Sequence, residues 1–292
     1  MYHFIYNPIA GKGRSARCRA ELDGLLVASG VEYRFYETRR ARHAIEIAKE
    51  LTCGAGDADL DIVAMGGDGT LNEVLNGIDD PAKVRLGIMP CGSGNDFAAA
   101  AHIPDAPLAA LKLLLEGEAR HTDYMECGGV RGINVIGTGI DVEILRRYGR
   151  MKLLKGSPAY LASLLMTLIS YRPRSFSECL DGARRPHSAL IACAGNGRRI
   201  GGGIPVCPEA EIDDGLMDIV IVDGISRARI PAALIKLLKS RILELPTTAF
   251  RRDRRLTIIS DAPLSIQIDG EIYDGLPFDV RLIARKLRVY RP

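Results

Sequence analysis

Hydrophobic positions along this chain follow two different rhythms. Over roughly the first 120 residues, short apolar runs alternate with helical stripes. "YHFIY" (Tyr2–Tyr6), "VEYRFYET" (Val31–Thr38), "LDIVAM" (Leu60–Met65) and "RLGIMP" (Arg85–Pro90) predict strands. Between them, Cys18, Leu22, Leu25 and Leu26 recur at helical spacing, as do Ala44, Ile47, Ala48 and Leu51. "LNEVLNGI" (Leu71–Ile78) and "PLAALKLLLEGE" (Pro107–Glu118) predict two more helices. This alternation implies an α/β domain: a parallel sheet flanked by helices, with ligands bound beyond the carboxyl ends of the strands.

Beyond about Glu118 the rhythm changes. "HTDYMECGGVRGINVIGTG" predicts two strands about a glycine turn, and a helical stretch runs from about Asp141 to Tyr171. Strand-like runs then dominate: "SALIACAGN", "LMDIVIVDG", "LTIISD", "LSIQIDGE" and "FDVRLIA", interrupted by one helix, "RARIPAALIKLLKSRI". Short strands with few helices predict a β-rich, sandwich-like second domain, with a boundary near residue 120. No internal repeat or low-complexity tract is visible.

Composition narrows the classes. The chain has 292 residues, 47% hydrophobic and 26% charged, which suits a globular protein of two domains. A net charge of +3 leaves no nucleic-acid footprint. Seven cysteines without a CxxC pair read as reduced packing residues of a cytoplasmic protein. Five histidines without zinc-site spacing argue against zinc. The opening "MYHFIYNPIAGKG" lacks the pattern of a signal peptide. "SPAYLASLLMTLISY" (Ser157–Tyr171) is the most apolar segment, yet shorter than the roughly 20 residues that span a bilayer.

The candidate chemistry lies in three turns at strand ends: "NPIAGKG" (Asn7–Gly13), "GGDGT" (Gly66–Thr70) and "PCGSGND" (Pro90–Asp96). Glycine lets backbone N–H groups approach an anion, and a helix following each turn adds its positive end. Thr70, Ser93 and Asn95 add side-chain hydrogen bonds. Asp68 faces bare phosphate poorly and suits Mg²⁺ that bridges to phosphate oxygens. No P-loop pattern occurs. "GKGRSA" with Glu37 matches a dinucleotide fingerprint, but "NPIA" separates the strand from its first glycine. In the second domain, "EIDDGLMD" groups four acids at a spacing unlike an EF-hand, and "DGE" (Asp269–Glu271) reads by spacing alone as a hairpin turn before it reads as a functional element.

Taken together, "NPIAGKG", "GGDGTLNEV" and "PCGSGNDFA" resemble the nucleotide-binding motifs of the diacylglycerol kinase catalytic-domain family, in its bacterial lipid-kinase branch. That branch is related to sphingosine kinases and more distantly to NAD kinases. "GNGRRIGGGIPVCPEAEIDDGLMDI" (Gly195–Ile219) and "IDGE" (Ile268–Glu271) extend the resemblance across nearly the whole chain. It implies an NAD kinase/diacylglycerol kinase-like fold: an α/β nucleotide-binding domain over residues 1–120, a β-rich domain over 121–282, a last segment (283–292) packing back on the first, and an active site in the cleft between domains. It implies ATP and Mg²⁺ as cosubstrates and a lipid hydroxyl as acceptor.

Carried over by position, Asn7, Gly11, Lys12 and Gly13 belong to the first nucleotide motif. Gly66, Gly67, Asp68, Gly69, Thr70, Leu71 and Asn72 would wrap the ATP phosphates, with Thr38 and Ser93 adding contacts. The family usually has threonine where this chain has Ser93. Glu271 matches the proton acceptor. Asp214 matches a ligand of a structural Mg²⁺, completed by the main-chain carbonyls of Glu211 and Leu216. Asp96 and Asp123 match acidic positions near the catalytic centre. With no spanning segment or lipidation motif in view, the expectation is a cytoplasmic enzyme that visits the inner membrane face, and the basic runs "RRYGRMKLLK" (Arg146–Lys155) and "FRRDRR" (Phe250–Arg255) read either as solvated surface charge or as contacts for anionic headgroups. Oligomeric state stays open, a homodimer included. The alternatives are a soluble-acceptor kinase of the NAD kinase type and a non-catalytic nucleotide-binding module.

Overall fold

The computed structural model describes residues 1–53, 59–150, 157–180 and 182–292. The chain divides into two compact units, Met1–Asp123 with Ala284–Pro292, and Tyr124–Ile283.

In the first unit, β1 (Tyr2–Tyr6), β2 (Tyr33–Glu37), β3 (Leu60–Gly66) and β4 (Val84–Pro90) form a parallel sheet in the order β2–β1–β3–β4. Arg288 and Val289, near the end of the chain, extend it by pairing in parallel with Arg85 and Leu86. Ile62, Val63, Ala64 and Met65 of β3 are all buried. Helices cover such a sheet on both faces, so a central strand needs no polar side; this is why "LDIVAM" does not alternate. Asp61 is the exception. Arg85 Nε and Nη2 each donate to it at 2.7 Å, and the Tyr290 hydroxyl donates at 2.7 Å. That network fastens the last strand to β3.

The helices of this unit are α1 (Ala10–Ser29), α2 (His43–Cys53), α3 (Asp68–Gly77), α4 (Asp96–Ala100) and α5 (Pro107–Glu116). On α1 the buried face is Ser15, Cys18, Leu22 and Leu26, whereas Leu25 is 42% exposed. The apolar stripe is therefore centred one position round from the expected one, and Leu25 sits on its rim. The five-residue α4 carries no helical period long enough to read from sequence.

The second unit is antiparallel. Its elements are β6 (Val130–Gly132), β7 (Val135–Gly139), α6 (Ile140–Arg150), α7 (Ser157–Ser170), β8 (Arg174–Leu180), β9 (Ala183–Gly195), β10 (Met217–Asp223), α8 (Ile230–Leu238), β11 (Thr248–Asp253), β12 (Arg255–Ile259), β13 (Ser265–Ile268) and β14 (Glu271–Asp274). β5 (Ala119–Cys127) and β15 (Phe278–Tyr290) contribute residues to both units. The long β9 pairs with β8 over its first half, and with β7 and β10 over its second.

β10 shows how one strand serves two cores. Met217, Ile219 and Ile221 enter the core between strands, with Leu256, Ile266 and Phe278. Val220 and Val222 point the other way, into a core shared with Ile140, Tyr160 and Leu164 of the helices. Both faces are covered, so "IVIV" (Ile219–Val222) is apolar throughout, and the buried Asp218 before it is bonded by Arg252. β8 and β11 went unpredicted because charged residues interrupt their patterns. Inside the fold those charges pair: Arg251 donates to Glu178 at 2.9 and 3.0 Å and also binds Asp253.

Candidate active site

Three strand ends are stitched together in the first unit. The Asn7 N–H donates to the Met65 carbonyl at 3.1 Å, and the Cys91 and Gly92 N–H groups donate to the Gly66 carbonyl at 2.7 and 3.1 Å. The turns after β1, β3 and β4 therefore lie side by side. Thr38 joins them through its N–H to the Tyr6 carbonyl, at 2.9 Å.

Two close approaches hold this arrangement. A Cβ on Gly11 would stand 2.0 Å from the Cys91 carbonyl oxygen, and Gly11 has φ +56°. Gly11, Lys12 and Gly13 are left-handed in succession, with φ 56, 57 and 83°. For Lys12 that conformation costs about 1–2 kcal/mol, and such strain marks a segment held for a purpose. On the other side, a Cβ on Gly92 would meet the Gly67 Cα at 2.4 Å, so these two turns touch backbone to backbone.

Asp68 opens α3, and its Oδ1 accepts the Phe97 N–H of α4 at 3.2 Å. Half of the carboxylate thus caps a neighbouring helix, a structural duty its motif did not disclose. Thr70 and Asn72 are buried, while Lys12, Gly69 and Ser93 are exposed. Leu71 is a core residue whose N–H goes to the Gly67 carbonyl, so its own groups are spent within the helix turn. Asn95 deserves a larger part than the sequence suggested. At φ 57°, its Oδ1 accepts from Gly92 N at 3.0 Å and its Nδ2 donates to Asp105 Oδ1 at 3.0 Å, which fixes the third turn. An Asn preceding a helix and following "GSG" was the available signal.

Asp96 is buried in the first turn of α4. Asp123 is fully buried, and its Oδ1 accepts the Arg285 N–H at 2.7 Å. It thereby holds a left-handed residue, φ 54°, of the last strand.

In the second unit, Asp269 and Gly270 form a two-residue hairpin loop between paired Ile268 and Glu271, with φ 48 and 92°. The Asp269 carboxylate accepts three backbone N–H groups, from Ile133, Asn134 and Val135, at 2.7, 2.9 and 3.0 Å. Asp269 is therefore an architectural residue, and Glu271 stands exposed at the start of β14 on a turn that is rigidly held.

The turn carrying Glu211, Asp214 and Leu216 is shaped by Asp214, whose Oδ1 accepts the Leu216 N–H at 2.9 Å. Glu211 and Asp214 are both exposed. Burial pushes nearby Asp218 up to about 6 despite its bond from Arg252, and the charges of Glu209 and Asp214 add to the rise. Among the described residues no three His, Cys, Asp or Glu side chains form a metal cluster. One carboxylate with main-chain oxygens and water remains a donor set that Mg²⁺ or Ca²⁺ accepts, and the local excess of negative charge suits a cation.

Under α6, α7 and α8 lies an apolar cavity of about 80 Å³, lined by residues such as Ile144, Leu164, Val220 and Leu237. One wall is Asp141. It is fully buried, neither carboxylate oxygen has a hydrogen-bond partner among the described residues, and a Cβ on Gly137 would meet its Oδ2 at 2.3 Å. Burial pushes this carboxyl up to about 7, with the Val142 N–H and Gln267 amide opposing only in part. The folded state thus keeps a proton that the unfolded chain releases near pH 3.8. Stability from this group falls as pH rises from about 4 to about 7, by about 4 kcal/mol in all. Asp141→Asn cannot ionise, but it leaves a buried amide unpaired at a cost of about 1–3 kcal/mol. The variant should melt below the native chain at pH 4, where the native chain has lost well under 1 kcal/mol through this group, and above it at pH 8; parallel Tm curves across that range would refute the assignment. Asp218 titrates in the same direction in both proteins and does not disturb the comparison. The sequence offered only a first-turn acid at Asp141, with no hint of its burial.

The basic runs are less available than their sequence suggests. Arg251, Arg252, Arg254 and Arg255 of "FRRDRR" are engaged with Glu178, Asp218, the Gly215 carbonyl and Asp279. Arg146 binds Ser265 and Asp274, and residues 151–155 of the other run lie outside the described residues. Among the described residues no helix is long and apolar enough to cross a membrane.

The first unit is thus a parallel α/β unit with three anion-suited turns, and the second is β-rich. Residues 1–127 match the model of the diacylglycerol kinase catalytic domain, and residues 134–291 that of the YegS C-terminal NAD kinase beta sandwich-like domain. The chain belongs to the diacylglycerol kinase catalytic-domain family, in its bacterial lipid kinase branch. It is 34% identical over 245 residues to a "Probable lipid kinase YegS-like" of Xanthomonas euvesicatoria pv. vesicatoria (strain 85-10), covering 79% of this chain and 78% of that one. It is 27% identical over 290 residues to a diacylglycerol kinase of Staphylococcus aureus (strain MRSA252), covering 99% and 91%. The crystal structure of a diacylglycerol kinase from Bacillus anthracis str. Sterne shares the fold, with TM-score 0.76, 20% identity, and coverage of 100% of this chain and 96% of that one.

Proposed function

We propose that this chain is an ATP-dependent lipid kinase that transfers the γ-phosphoryl group to a hydroxyl of diacylglycerol or a related lipid. The observation that carries the reading is the set of three glycine-rich turns held edge to edge at the ends of β1, β3 and β4. Each leads into a helix, so backbone N–H groups and helix ends would meet a polyphosphate together. Phosphoryl transfer asks the protein chiefly for positioning and charge neutralisation. Gly11–Gly13, Gly66–Asn72 and Ser93 would position the phosphates, Lys12 would offset their charge, and Thr38 would contact the nucleotide. Mg²⁺, when bound, supplies further neutralisation, and the second oxygen of Asp68, with Asp96 nearby in sequence to the third turn, would hold it. Glu271 would accept the acceptor's proton. Asp214, with the carbonyls of Glu211 and Leu216, would hold a structural cation that orders its turn.

The acceptor side of the reading rests on the second unit. The cavity under α6–α8 suits part of a hydrocarbon chain, and α7 exposes Leu161, Leu165, Met166 and Ile169 along one stripe, which suits a lipid surface. The NAD kinase-like description of the second domain keeps one other acceptor class in view. The two are separated by ATP consumption with dispersed lipids or with NAD, and by comparing extractable lipids of cells with and without overproduction. A new lipid phosphomonoester is expected. NAD-dependent consumption without any lipid product would replace this reading by the soluble one.

A further inference from the structure

We infer that Arg199 is a further catalytic residue, whose guanidinium binds the phosphoryl group as it reaches the acceptor hydroxyl beside Glu271. This role rests on the lipid-kinase reading above and adds a group that reading leaves out. Three segments of the second unit leave its sheet at one end. Val135, the first residue of β7, pairs with Gly195, the last of β9, and Gly195 pairs on its other side with Asp218 of β10. The Asp269 N–H donates to the Val135 carbonyl at 3.1 Å. The Glu271 hairpin, the glycine-rich loop after β9 and the acidic turn before β10 are therefore neighbours.

Asn134 ties the loop to the hairpin. Its N–H donates to the Asp269 carboxylate at 2.9 Å, while its side-chain amide donates to the Arg199 carbonyl at 2.6 Å. Its carbonyl accepts the Asn196 and Gly197 N–H groups at 2.9 and 2.8 Å, and the Asn196 amide donates to the Ile133 carbonyl at 2.8 Å. A Cβ on Gly197 would stand 1.7 Å from Asn134 Oδ1, so the loop passes directly over this amide. Further along, Arg198 Nε donates to the Ala210 carbonyl at 2.8 Å, and Ile200 and Ile204 exchange backbone hydrogen bonds of 2.9 Å. The Arg199 backbone is thus joined, through a single residue, to the carboxylate that shapes the Glu271 turn.

The Arg199 side chain is held by nothing. It is exposed, and its guanidinium has no hydrogen-bond or ion-pair partner among the described residues. Other arginines at this end are spent, Arg252 on Asp218 and Arg254 on the Gly215 carbonyl. Glu209, Glu211 and Asp214 stand exposed on the neighbouring turn, yet Arg199 pairs with none of them. A fixed backbone carrying a free, planar head with five donors suits an oxyanion better than a structural ion pair. The place names the oxyanion, because a hydroxyl that loses its proton to Glu271 forms its new bond beside these two turns. The hydroxyl oxygen attacks the γ-phosphorus, the bond from phosphorus to the β,γ-bridging oxygen breaks, and ADP leaves with that electron pair. The proton passes to Glu271. Arg199 forms no covalent bond; its N–H groups donate to the non-bridging oxygens and offset their charge, in the transition state and on the lipid phosphomonoester product.

The test compares Arg199→Ala and Arg199→Lys with the native chain at full length. Arg199→Ala should lower kcat and kcat/KM for ATP together by about 10²–10³-fold, the range for losing one donor to a developing charge. Its Tm should stay close to native, because the side chain is exposed and unpaired. Added guanidinium ion should restore part of the turnover of Arg199→Ala, and Arg199→Lys should retain part of it. Calorimetry with dihexanoyl phosphatidate, a soluble phosphomonoester lipid, should show binding at least about tenfold weaker in Arg199→Ala, as for a lost charge-assisted hydrogen bond. Native-like kcat or native-like phosphatidate affinity in Arg199→Ala overturns the proposal. A loss of turnover that comes with a lowered Tm and no response to guanidinium marks a structural role and overturns it too. A native chain that phosphorylates no lipid refutes the kinase reading instead, and Arg199 is then scored by phosphatidate binding alone.

Discussion

Glu271→Gln is expected to lower kcat for phosphoryl transfer by about 10²–10⁴-fold, the range for losing a positioned general base. Its effect should be confined to turnover. Glu271 is exposed at the head of β14, and the hairpin beneath it is fixed by Asp269 and its three backbone N–H groups, which the substitution leaves in place. ATP affinity and Tm should therefore stay close to those of the native chain, since an exposed substitution away from such features shifts stability by about 0.5 kcal/mol or less. Calorimetric ATP titration beside steady-state turnover reads both quantities. Turnover within about threefold of native would remove Glu271 from the role of base, because a loss that small lies well under the range for such a group.

The second large effect concerns two glycines of the phosphate turns that should respond in opposite ways. Gly11→Ala combines a left-handed backbone with a Cβ 2.0 Å from the Cys91 carbonyl, so the first and third turns must part. We expect a loss of about 2–4 kcal/mol in stability, the tail populated by strained and overpacked sites, together with loss of ATP binding. Gly69→Ala meets nothing within 4 Å and lies in the first turn of α3. It should leave the fold unharmed, or stabilise it by up to about 1 kcal/mol. If phosphate approaches the Gly69 backbone as proposed, the added methyl group nonetheless weakens ATP binding at least tenfold. Thermal melts and ATP titrations of both variants separate a turn needed for shape from one needed for ligand. Unimpaired ATP binding by Gly69→Ala would move the phosphates elsewhere.

Much of the architecture could be read from residue patterns because burial is regular there. "IVAM" of β3 and "IVIV" of β10 are apolar on both faces since both faces are covered, and each strand is where its pattern indicates. What was illegible depends on tertiary pairing. The arginines of Phe250–Arg255 look like a surface patch in sequence, but in the fold they form ion pairs along β11 and β12. β8 is similarly disguised by Glu178, whose charge is met by Arg251, far along the chain.

The site divides in the same way. The three turns were visible as glycine clusters, because a backbone that must approach another backbone or turn left-handed admits little else. Which carboxylates serve the fold was not visible. Asp123, Asp269 and one oxygen of Asp68 each accept backbone N–H groups contributed by distant residues. Asp141 was hidden for the converse reason: its importance lies in its burial against an apolar wall, and burial of that kind leaves no mark on a local motif.

The central claim is that this chain moves phosphate from ATP to a lipid hydroxyl. The most direct measurement incubates the purified chain with γ-labelled ATP, Mg²⁺ and mixed micelles of diacylglycerol, sphingoid or phosphoglycerol lipids, then separates organic from aqueous products. The account predicts label in an organic-soluble phosphomonoester with at least one of these acceptors, and its loss in Glu271→Gln. Label confined to the aqueous phase with every acceptor, from a chain that demonstrably binds ATP, would contradict it.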